Sequence, residues 1–585
     1  MEIRYERLLP YVRRPARYIG GEINSVVKDW KSAKLRIALV FPDVYDIGMS
    51  HLGIKILYHI LNAREDILCE RAFAPAGDME GLLREKGLPL VTLENSKPLS
   101  EFDIVGVSLS HELCYTNVLN ILELSGIPPR KSGRADSGPL IMAGGPCAFN
   151  PEPVSDFIDL FLIGDGEDAV LDIAERYLRC GISKDTFGRR KKILRELSGL
   201  DGVYIPEFYD AVYERGVFKA LAPVEKCAPA VVKKRRIADL KSCFYPTRQI
   251  ISYVPLIHDR VSVEIMRGCP HRCRFCQASA IYSPVRIRPR DDIIRLAREA
   301  QKKTGHDEIS LLSLSTGDYP GITELLRMLA EEFKPKGVSV SLPSLRIEKG
   351  IKELPRIIRE IKKTGFTFAP EVASEKLRRF INKNIDGGVL LESAKNAYEL
   401  GWRRLKLYFM VGFAAEEKED IGALIEMAKA VAGLRPGQGG KKASVTVSVS
   451  SFIPKPHTPF QWEAMDQAEI LRGKIDSIRC GLKGGRVKVN AHDIETSLLE
   501  GVFSRGDRRL GAVIESAFSK GARFDNWSEN FRADIWNESF EKTGVDFRKY
   551  LMPRDYADAL PWDHIDCGIS KKSLEKESRA SRSSL

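Results

Sequence analysis

The stretch VSVEIMRGCPHRCRFC, residues 261–276, places a short apolar strand directly before a loop with three cysteines. Cys269, Cys273 and Cys276 follow a C-x3-C-x2-C spacing. Three thiolates this close can bind three irons of a [4Fe-4S] cube, which normally takes four cysteines, so one iron stays open to another ligand. The alternative is a zinc site with His271 or a distant residue as fourth ligand. Structural zinc usually combines two paired knuckles, and the sequence has no second C-x2-C.

Downstream of this loop, strand-like runs alternate with amphipathic helical stretches. Repeated strand–helix units predict parallel strands covered by helices, here a partial (β/α)6 barrel over residues 256–485. In complete barrels the chemistry lies at the C-terminal ends of the strands, where the cysteine loop also lies. The predicted strands are VSVEI (261–265), EISLLSL (308–314), VSVSL (338–342), FTFA (366–369), LKLYFMV (405–411) and SVTVSVS (444–450).

A similar alternation upstream predicts a second α/β unit. Over residues 35–200 the runs LRIALVF, DIVGVSLS, PLIMAGGP and DLFLIGDGE are each followed by a loop or a helical stretch, which favours a doubly wound parallel sheet. Residues 1–34 are predicted as an arm and 201–255 as a small antiparallel β-linker. Residues 486–585 lack the alternation and are predicted as a helical accessory domain ending in a frayed basic tail.

The composition is that of a folded protein outside the membrane. Of the 585 residues, 43% are hydrophobic and 29% charged, which supports packed cores. No apolar run approaches the roughly 18 residues of a membrane span, and the first residues lack the apolar region of a secretory signal. We therefore expect a cytoplasmic protein. Its odd count of 11 cysteines argues against a disulfide framework.

The positive charge permits an anionic partner without requiring one. A net charge of +12 is mild for this length and is compatible with RNA or with ordinary solvated lysine and arginine. Aromatic residues between 527 and 562, interleaved with arginines such as Arg532 and Arg554, could stack on bases. At helical spacing, however, such aromatics more often belong to a core.

The loop GCPHRCRFC, with Phe275 before the third cysteine, resembles that of radical S-adenosylmethionine (SAM) enzymes. The resemblance implies that Cys269, Cys273 and Cys276 hold a [4Fe-4S] cluster and that SAM binds its open iron. One electron from the cluster then cleaves SAM to methionine and a 5′-deoxyadenosyl radical. A flavodoxin- or ferredoxin-like protein is the implied reductant.

Further matches to this family imply the SAM contacts. STGD (315–318) resembles the segment that binds the SAM amino group, although the usual pattern is two glycines and a glutamate. Glu371, after FTFAP, corresponds to a ribose contact, and Gly412 to a glycine near the adenine. FIPKPHTPF (452–460) resembles the end of the barrel in methylthiotransferase-like members. The implied SAM contacts are Phe275, Ser315, Gly317, Asp318, Glu371 and Gly412.

The first α/β unit resembles the cobalamin-binding domain that precedes the barrel in some radical SAM enzymes. The cobalt-binding motif D-x-H-x-x-G appears as DVYDIG (43–48), with a tyrosine in place of the histidine. A phenol is a poor substitute for imidazole, so we expect cobalamin to bind without a histidine ligand, or the domain to be empty. The candidate contacts are Tyr45, Gly48, Ser108, Gly144, Gly145, Gly164 and Gly166.

These resemblances imply an enzyme that cleaves SAM reductively to modify a substrate, by methylation or methylthiolation, with RNA or a protein as candidate substrates. The alternative is a non-catalytic iron–sulfur regulator or RNA-binding factor that keeps the cluster. Release of 5′-deoxyadenosine from SAM would separate the two functions.

Overall fold

The computed structural model describes residues 5–184, 186–341, 366–383, 385, 387–399, 402–434, 444–583 and 585. The chain is an α/β protein, which confirms the predicted fold class. A mostly parallel six-stranded sheet comes first, parallel sheets follow in the middle of the chain, and helices dominate the C-terminal part. The largest hydrophobic core is continuous through all three parts.

The first sheet contains β1 (Leu35–Phe41), β2 (Ile67–Phe73), β3 (Ile104–Ser108), β4 (Leu140–Gly144), β5 (Leu160–Leu162) and β6 (Val203–Tyr204). The strand order is β2-β1-β3-β4-β5-β6, with β6 antiparallel to β5 and the other neighbours parallel. The apolar run of β1 is almost wholly buried, as expected for a parallel strand covered on both faces. The sequence reading missed β2, since the buried charges of Glu70 and Arg71 interrupt its apolar pattern.

The helices of this part are α1 (Tyr45–Gly48), α2 (Leu52–Asn62), α3 (Gly77–Lys86), α4 (Tyr115–Leu124), α5 (Ala169–Cys180) and α6 (Arg189–Leu197). The linker that follows forms a hairpin of β7 (Tyr209–Glu214) and β8 (Val217–Pro223) and then a short strand β9 (Val232–Lys233). Backbone pairing between Gly164 and Arg235 joins this linker to the loop after β5.

The middle of the chain contains all six predicted barrel strands, except that Leu342 lies outside the described residues. The strands are β10 (Val261–Glu264), β11 (Met266–Arg267), β12 (Arg286–Ile287), β13 (Glu308–Leu312), β14 (Ser339–Ser341), β15 (Phe366–Glu371), β16 (Arg404–Val411), β17 (Ser444–Ser451) and β18 (Val487–Ala491). In the described ranges the predicted strands lie in two parallel sheets, β10-β13-β14 and β15-β16-β17-β18. Strand β18 was not predicted, and it extends the second sheet beyond residue 485.

Helices cover these sheets and form most of the C-terminal part. Among the described residues no helix is both long and apolar enough to cross a bilayer. The helices are α7 (Gln277–Ile281), α8 (Arg290–Thr304), α9 (Ile322–Phe333), α10 (Glu375–Phe380), α11 (Gly387–Glu399), α12 (Lys418–Gly433), α13 (Ala468–Gly481), α14 (Ile494–Arg505), α15 (Leu510–Ser519), α16 (Ala533–Thr543), α17 (Arg548–Leu551) and α18 (Lys571–Arg582).

The end of the chain is not a frayed tail, contrary to the sequence expectation. Residues 571–582 form α18, whose N-terminus is capped by the Ser570 side chain, which accepts a hydrogen bond from the Ser573 amide. Its small and apolar face, including Leu574 and Ser578, is buried. The basic residues obscured this face in the sequence because they occupy the other positions of the helix. Just before α18, β19 (Ile565–Asp566) pairs in parallel with β9 of the linker.

The C-terminal part packs against the first sheet through buried polar contacts. Asp525 accepts a hydrogen bond from Thr116 of α4 at 2.7 Å and one from Trp536 at 2.8 Å. Arg508 donates to Glu152 at 2.7 Å. Trp536 is buried, so this aromatic residue serves the core rather than an exposed stacking surface.

One largely buried cation joins all three parts of the chain. Lys455, in the loop after β17, binds Glu112 of the first part at 2.8 Å and Glu500 of α14 at 2.7 Å. Ser504 of α14 completes the cluster, because its hydroxyl contacts both Lys455 and Glu112. Burial alone would raise the pKa of Glu112, but Lys455 and Ser504 hold it below its ordinary value.

Candidate functional site

A cavity of about 610 Å³ lies where the C-terminal edge of the first sheet faces the C-terminal ends of β10 and β13. We call it the interdomain cavity. The strand ends Ser108, Gly144, Leu162, Glu264 and Leu312 all line it. Both parts of the chain thus open into one space at the sheet edge where α/β proteins usually bind ligands.

Five of the seven candidate cobalamin contacts line this cavity, namely Ser108, Gly144, Gly145, Gly164 and Gly166. They lie at the last residues of β3 and β4 or in the loops after β4 and β5, and these three strands are neighbours in the sheet. A Cβ atom at Gly145 or Gly164 would approach a backbone oxygen, that of Leu109 at 2.6 Å or of Arg235 at 2.1 Å. With φ near +110° at both positions, these two glycines are also required by the fold itself.

The other two candidates, Tyr45 and Gly48, do not line the cavity. The Tyr45 hydroxyl is buried and donates to Glu22 at 2.9 Å, and its ring packs on Phe73. Gly48 lies against the Phe73 ring as well, since a Cβ at Gly48 would come within 2.4 Å of that ring. The tyrosine that replaces the motif's histidine therefore packs against the N-terminal arm.

The sequence reading missed a histidine that does line the cavity. His51 lies three residues beyond Gly48, at the N-terminal end of α2. Burial, together with the charge of Lys55, lowers the pKa of His51. The only signal in the sequence was its position shortly after the altered motif DVYDIG, and a motif that is matched at fixed spacing overlooks it.

A buried ion-pair cluster joins the two sides of the cavity. Arg267, directly before the cysteine loop, binds Asp165 at 2.9 Å, Glu167 at 2.5 Å and Glu264 at 2.8 Å. Arg286 also binds Asp165. Burial would raise the pKa of Asp165, but the two arginines lower it below its ordinary value. The acidic loop after β5, predicted to contact cobalamin, is thereby fixed to the barrel.

The three clustered cysteines lie together in the partly exposed loop between β11 and α7. Arg274 within the loop donates to the carbonyls of Arg379 and Phe380, at 2.8 and 2.9 Å, and contacts Glu577 of α18. Phe275 packs against a separate aromatic core. The side chain of Arg274 therefore holds the loop against α10 and α18.

The thiol set offers the donors of a cubane cluster, three cysteine sulfurs from one loop. None of the 11 cysteines forms a disulfide. Over the described ranges, no three His, Cys, Asp or Glu side chains converge on a single metal position. A cubane needs no such convergence, because each thiolate binds a different iron.

The STGD segment lies against the cysteine loop. Oδ2 of Asp318 is 2.7 Å from Nε2 of His271 in that loop and also accepts a hydrogen bond from Ser315. Gly317 lies in the same turn. The structure thus brings Asp318 and Ser315 next to the loop that would hold the cluster. A contact with the amino group of a SAM bound to that cluster requires this position.

Glu371 and Gly412 lie at the ends of the neighbouring strands β15 and β16. Glu371 has φ +66° and binds Lys383 at 2.8 Å. Gly412 has φ +101°, and a Cβ there would come within 2.9 Å of Leu471. None of the six implied SAM contacts lines the interdomain cavity, and all six remain predictions.

Two family descriptions match the chain. Residues 53–206 match the N-terminal region of radical SAM proteins, and residues 263–428 match the radical SAM superfamily. The second range contains the cysteine loop and every implied SAM contact, from Phe275 to Gly412.

Two relatives are similar to this chain in sequence, one over most of its length and one over a part. An uncharacterized protein of Methanocaldococcus jannaschii is 29% identical over 87% of this chain and 97% of its own. The ribosomal protein uS12 methylthiotransferase RimO of Carboxydothermus hydrogenoformans is 26% identical over 28% of this chain and 40% of its own.

A solved structure shows the same fold. Radical SAM methyltransferase TsrM from Kitasatospora setae, with cobalamin and a [4Fe-4S] cluster bound, aligns with a TM-score of 0.54 at 12% identity. The alignment covers 87% of this chain and 99% of that chain. This likeness concerns the fold; the cysteine loop and the two family matches identify the chain as an enzyme of the radical SAM superfamily, whose members use a [4Fe-4S] cluster and SAM.

Proposed function

We propose that this enzyme methylates its substrate with the help of a cobalamin bound in the interdomain cavity. The observation that carries the proposal is the cavity itself, of about 610 Å³, between the first sheet and the barrel strands that lead to the cysteine loop and STGD. The fold shared with a cobalamin-containing methyltransferase supports it.

The cavity wall suits a large, flat and partly apolar ligand. Ser108, Gly144 and Gly166 leave space at one edge, and Leu39 and Val107 supply an apolar floor. Glu264 and Arg267 provide charge on the barrel side. This mixture of an apolar surface with a few polar groups is typical of cofactor sites.

Cobalamin, when bound, would carry a methyl group between SAM and the substrate. The chain's own residues would hold the reactants: the cysteine loop the cluster, and Asp318 the SAM amino group. Residues of both sheets would enclose the space between them. The electron would come from a flavodoxin- or ferredoxin-like protein, and RNA or a protein would be the substrate.

A cavity-filling variant tests this proposal. Ser108→Trp places a large ring in the cavity, whereas Ser137→Trp places one on an exposed loop. We expect anaerobically reconstituted wild type and Ser137→Trp to retain cobalamin in equilibrium dialysis and Ser108→Trp to lose it. With methyl-labelled SAM, the first two should also transfer label to the retained cobalamin.

Cleavage of SAM without cobalamin retention would overturn the methylation proposal while leaving the enzyme class intact. A protein that keeps its cluster but consumes no SAM would instead support an iron–sulfur regulator.

Methylthiolation is a second candidate, because part of the chain resembles a methylthiotransferase. It inserts sulfur together with the methyl group. Mass spectrometry of RNA and protein from cells with and without this enzyme would distinguish the products by their sulfur content.

The implied SAM contacts give a separate prediction. Asp318→Asn and Glu371→Gln should each weaken SAM binding ten- to a hundred-fold, since a hydrogen bond to a charged group contributes about 1.5–3 kcal/mol. Iron content should stay at the wild-type level, because neither Asp318 nor Glu371 is one of the three cysteines that would bind the cluster. Isothermal titration with SAM measures the effect, with exposed Glu375→Gln as control. Wild-type affinity in both variants would show that the assigned contacts are misplaced.

A further inference from the structure

His51 is placed by two neighbours at the wall of the interdomain cavity. Its ring packs 5.5 Å from that of Phe41. On the other side, a Cβ at Gly53 would come within 2.9 Å of the His51 Cε1 atom. The glycine thus leaves the space in which the imidazole lies.

The imidazole has hydrogen-bonding capacity that the protein does not use. Its Nδ1 atom is buried and has no hydrogen-bond partner in the part of the chain that the structure describes. A Cβ at Gly53 would also come within 3.2 Å of this Nδ1 atom, so Nδ1 faces residue 53 and Nε2 is the ring nitrogen left for a ligand in the cavity.

Two other histidines lack this combination of features. His258 also lines the cavity but is exposed, and its Nδ1 lies 3.3 Å from the guanidinium of Arg260. His59 is on the same helix as His51 and has an unpaired Nε2, but it does not line the cavity.

The chemistry of the ring is that of a metal ligand. A histidine coordinates a metal through a neutral ring nitrogen, and burial favours the neutral form of His51. Imidazole nitrogen is a common ligand of first-row transition metals.

We propose that His51 supplies the axial imidazole to the cobalt of a cobalamin bound in the interdomain cavity. The inference rests on the proposed cobalamin function. It differs from the sequence expectation of binding without a histidine ligand, because that expectation followed from Tyr45 alone. His51 would take the role of the missing histidine from a position six residues later in the chain.

Electron paramagnetic resonance of the cob(II)alamin-loaded protein tests the inference directly. An axial nitrogen splits the cobalt lines into triplets, and nitrogen-15 converts them to doublets. We therefore expect triplets in wild type and doublets in protein labelled with nitrogen-15 histidine. Triplets that persist after labelling would assign the ligand to the cofactor's own base and overturn the proposal, as would lines without nitrogen splitting.

Variants then identify the residue. His51→Ala should retain cobalamin but lose the nitrogen splitting, whereas His258→Ala and His59→Ala should keep it. Splitting that survives in His51→Ala would overturn the assignment. Failure of wild type to retain any cobalamin would overturn the proposed cofactor and this inference with it, which distinguishes that outcome from cobalamin bound without His51.

Discussion

Replacement of Cys273 by alanine is expected to leave the protein unable to hold its [4Fe-4S] cluster. Only two thiolates of the loop would remain, and the cube would have two irons without a protein ligand. The brown colour, the iron and sulfide content and the resonance signal of the reduced cluster should all be lost. Reductive cleavage of SAM should stop as well. Cys269→Ala and Cys276→Ala should behave alike.

The matched control is Cys480→Ala. Cys480 is exposed at the end of α13 and far in sequence from the loop, so this variant should keep wild-type iron. Full iron retention by Cys273→Ala would show that the loop does not hold the cluster. Zinc without iron after anaerobic reconstitution would instead support the zinc site that the sequence left as the alternative.

Lys455→Met should destabilise the folded chain by about 3–5 kcal/mol, because it leaves the buried carboxylate of Glu112 and the half-buried carboxylate of Glu500 without their cation. Lys455 binds both carboxylates within 2.8 Å and is only 18% exposed. Methionine conserves most of the side-chain volume, so the loss would reflect charge rather than packing. Urea unfolding followed by tryptophan fluorescence measures the change.

Two comparisons separate the cause. Lys429→Met removes an exposed partner of Glu426 and should leave stability almost unchanged. Lys455→Met combined with Glu112→Gln removes one of the stranded charges and should recover part of the loss. If Lys455→Met alone were as stable as wild type, water or a rearranged side chain would have to compensate the charge of the carboxylates.

The sequence predicted features whose cause is local. The cysteine loop depends on spacing alone, and the barrel strands depend on apolar runs that a buried parallel sheet requires. Ser108 and Gly144 were assigned to one site through their resemblance to short motifs of cobalamin-binding domains, and both line the cavity at strand ends. These inferences need no knowledge of distant partners.

Features that depend on distant partners could not be predicted in this way. Arg71 is tolerated within β2 because it binds Glu22 and Glu94, both buried. Tyr45 turns toward Glu22 of the arm, and His51 lines the cavity, for reasons that appear only once the arm and the barrel are in place. Helix α18 likewise could not be predicted, because the face that it buries is defined only by the parts of the chain against which it packs.

The order in which the ribosome produces the walls of the interdomain cavity constrains when a ligand can be enclosed. N-terminal units generally fold first during synthesis, so the first sheet can form while its ligand-facing edge is still open. The opposite wall, up to Leu314, is added later. The linker strand at Val232 must wait for Ile565 before it can pair, and such long-range pairing is slow. A cofactor would therefore have a window for entry between translation of the first sheet and folding of the opposite wall.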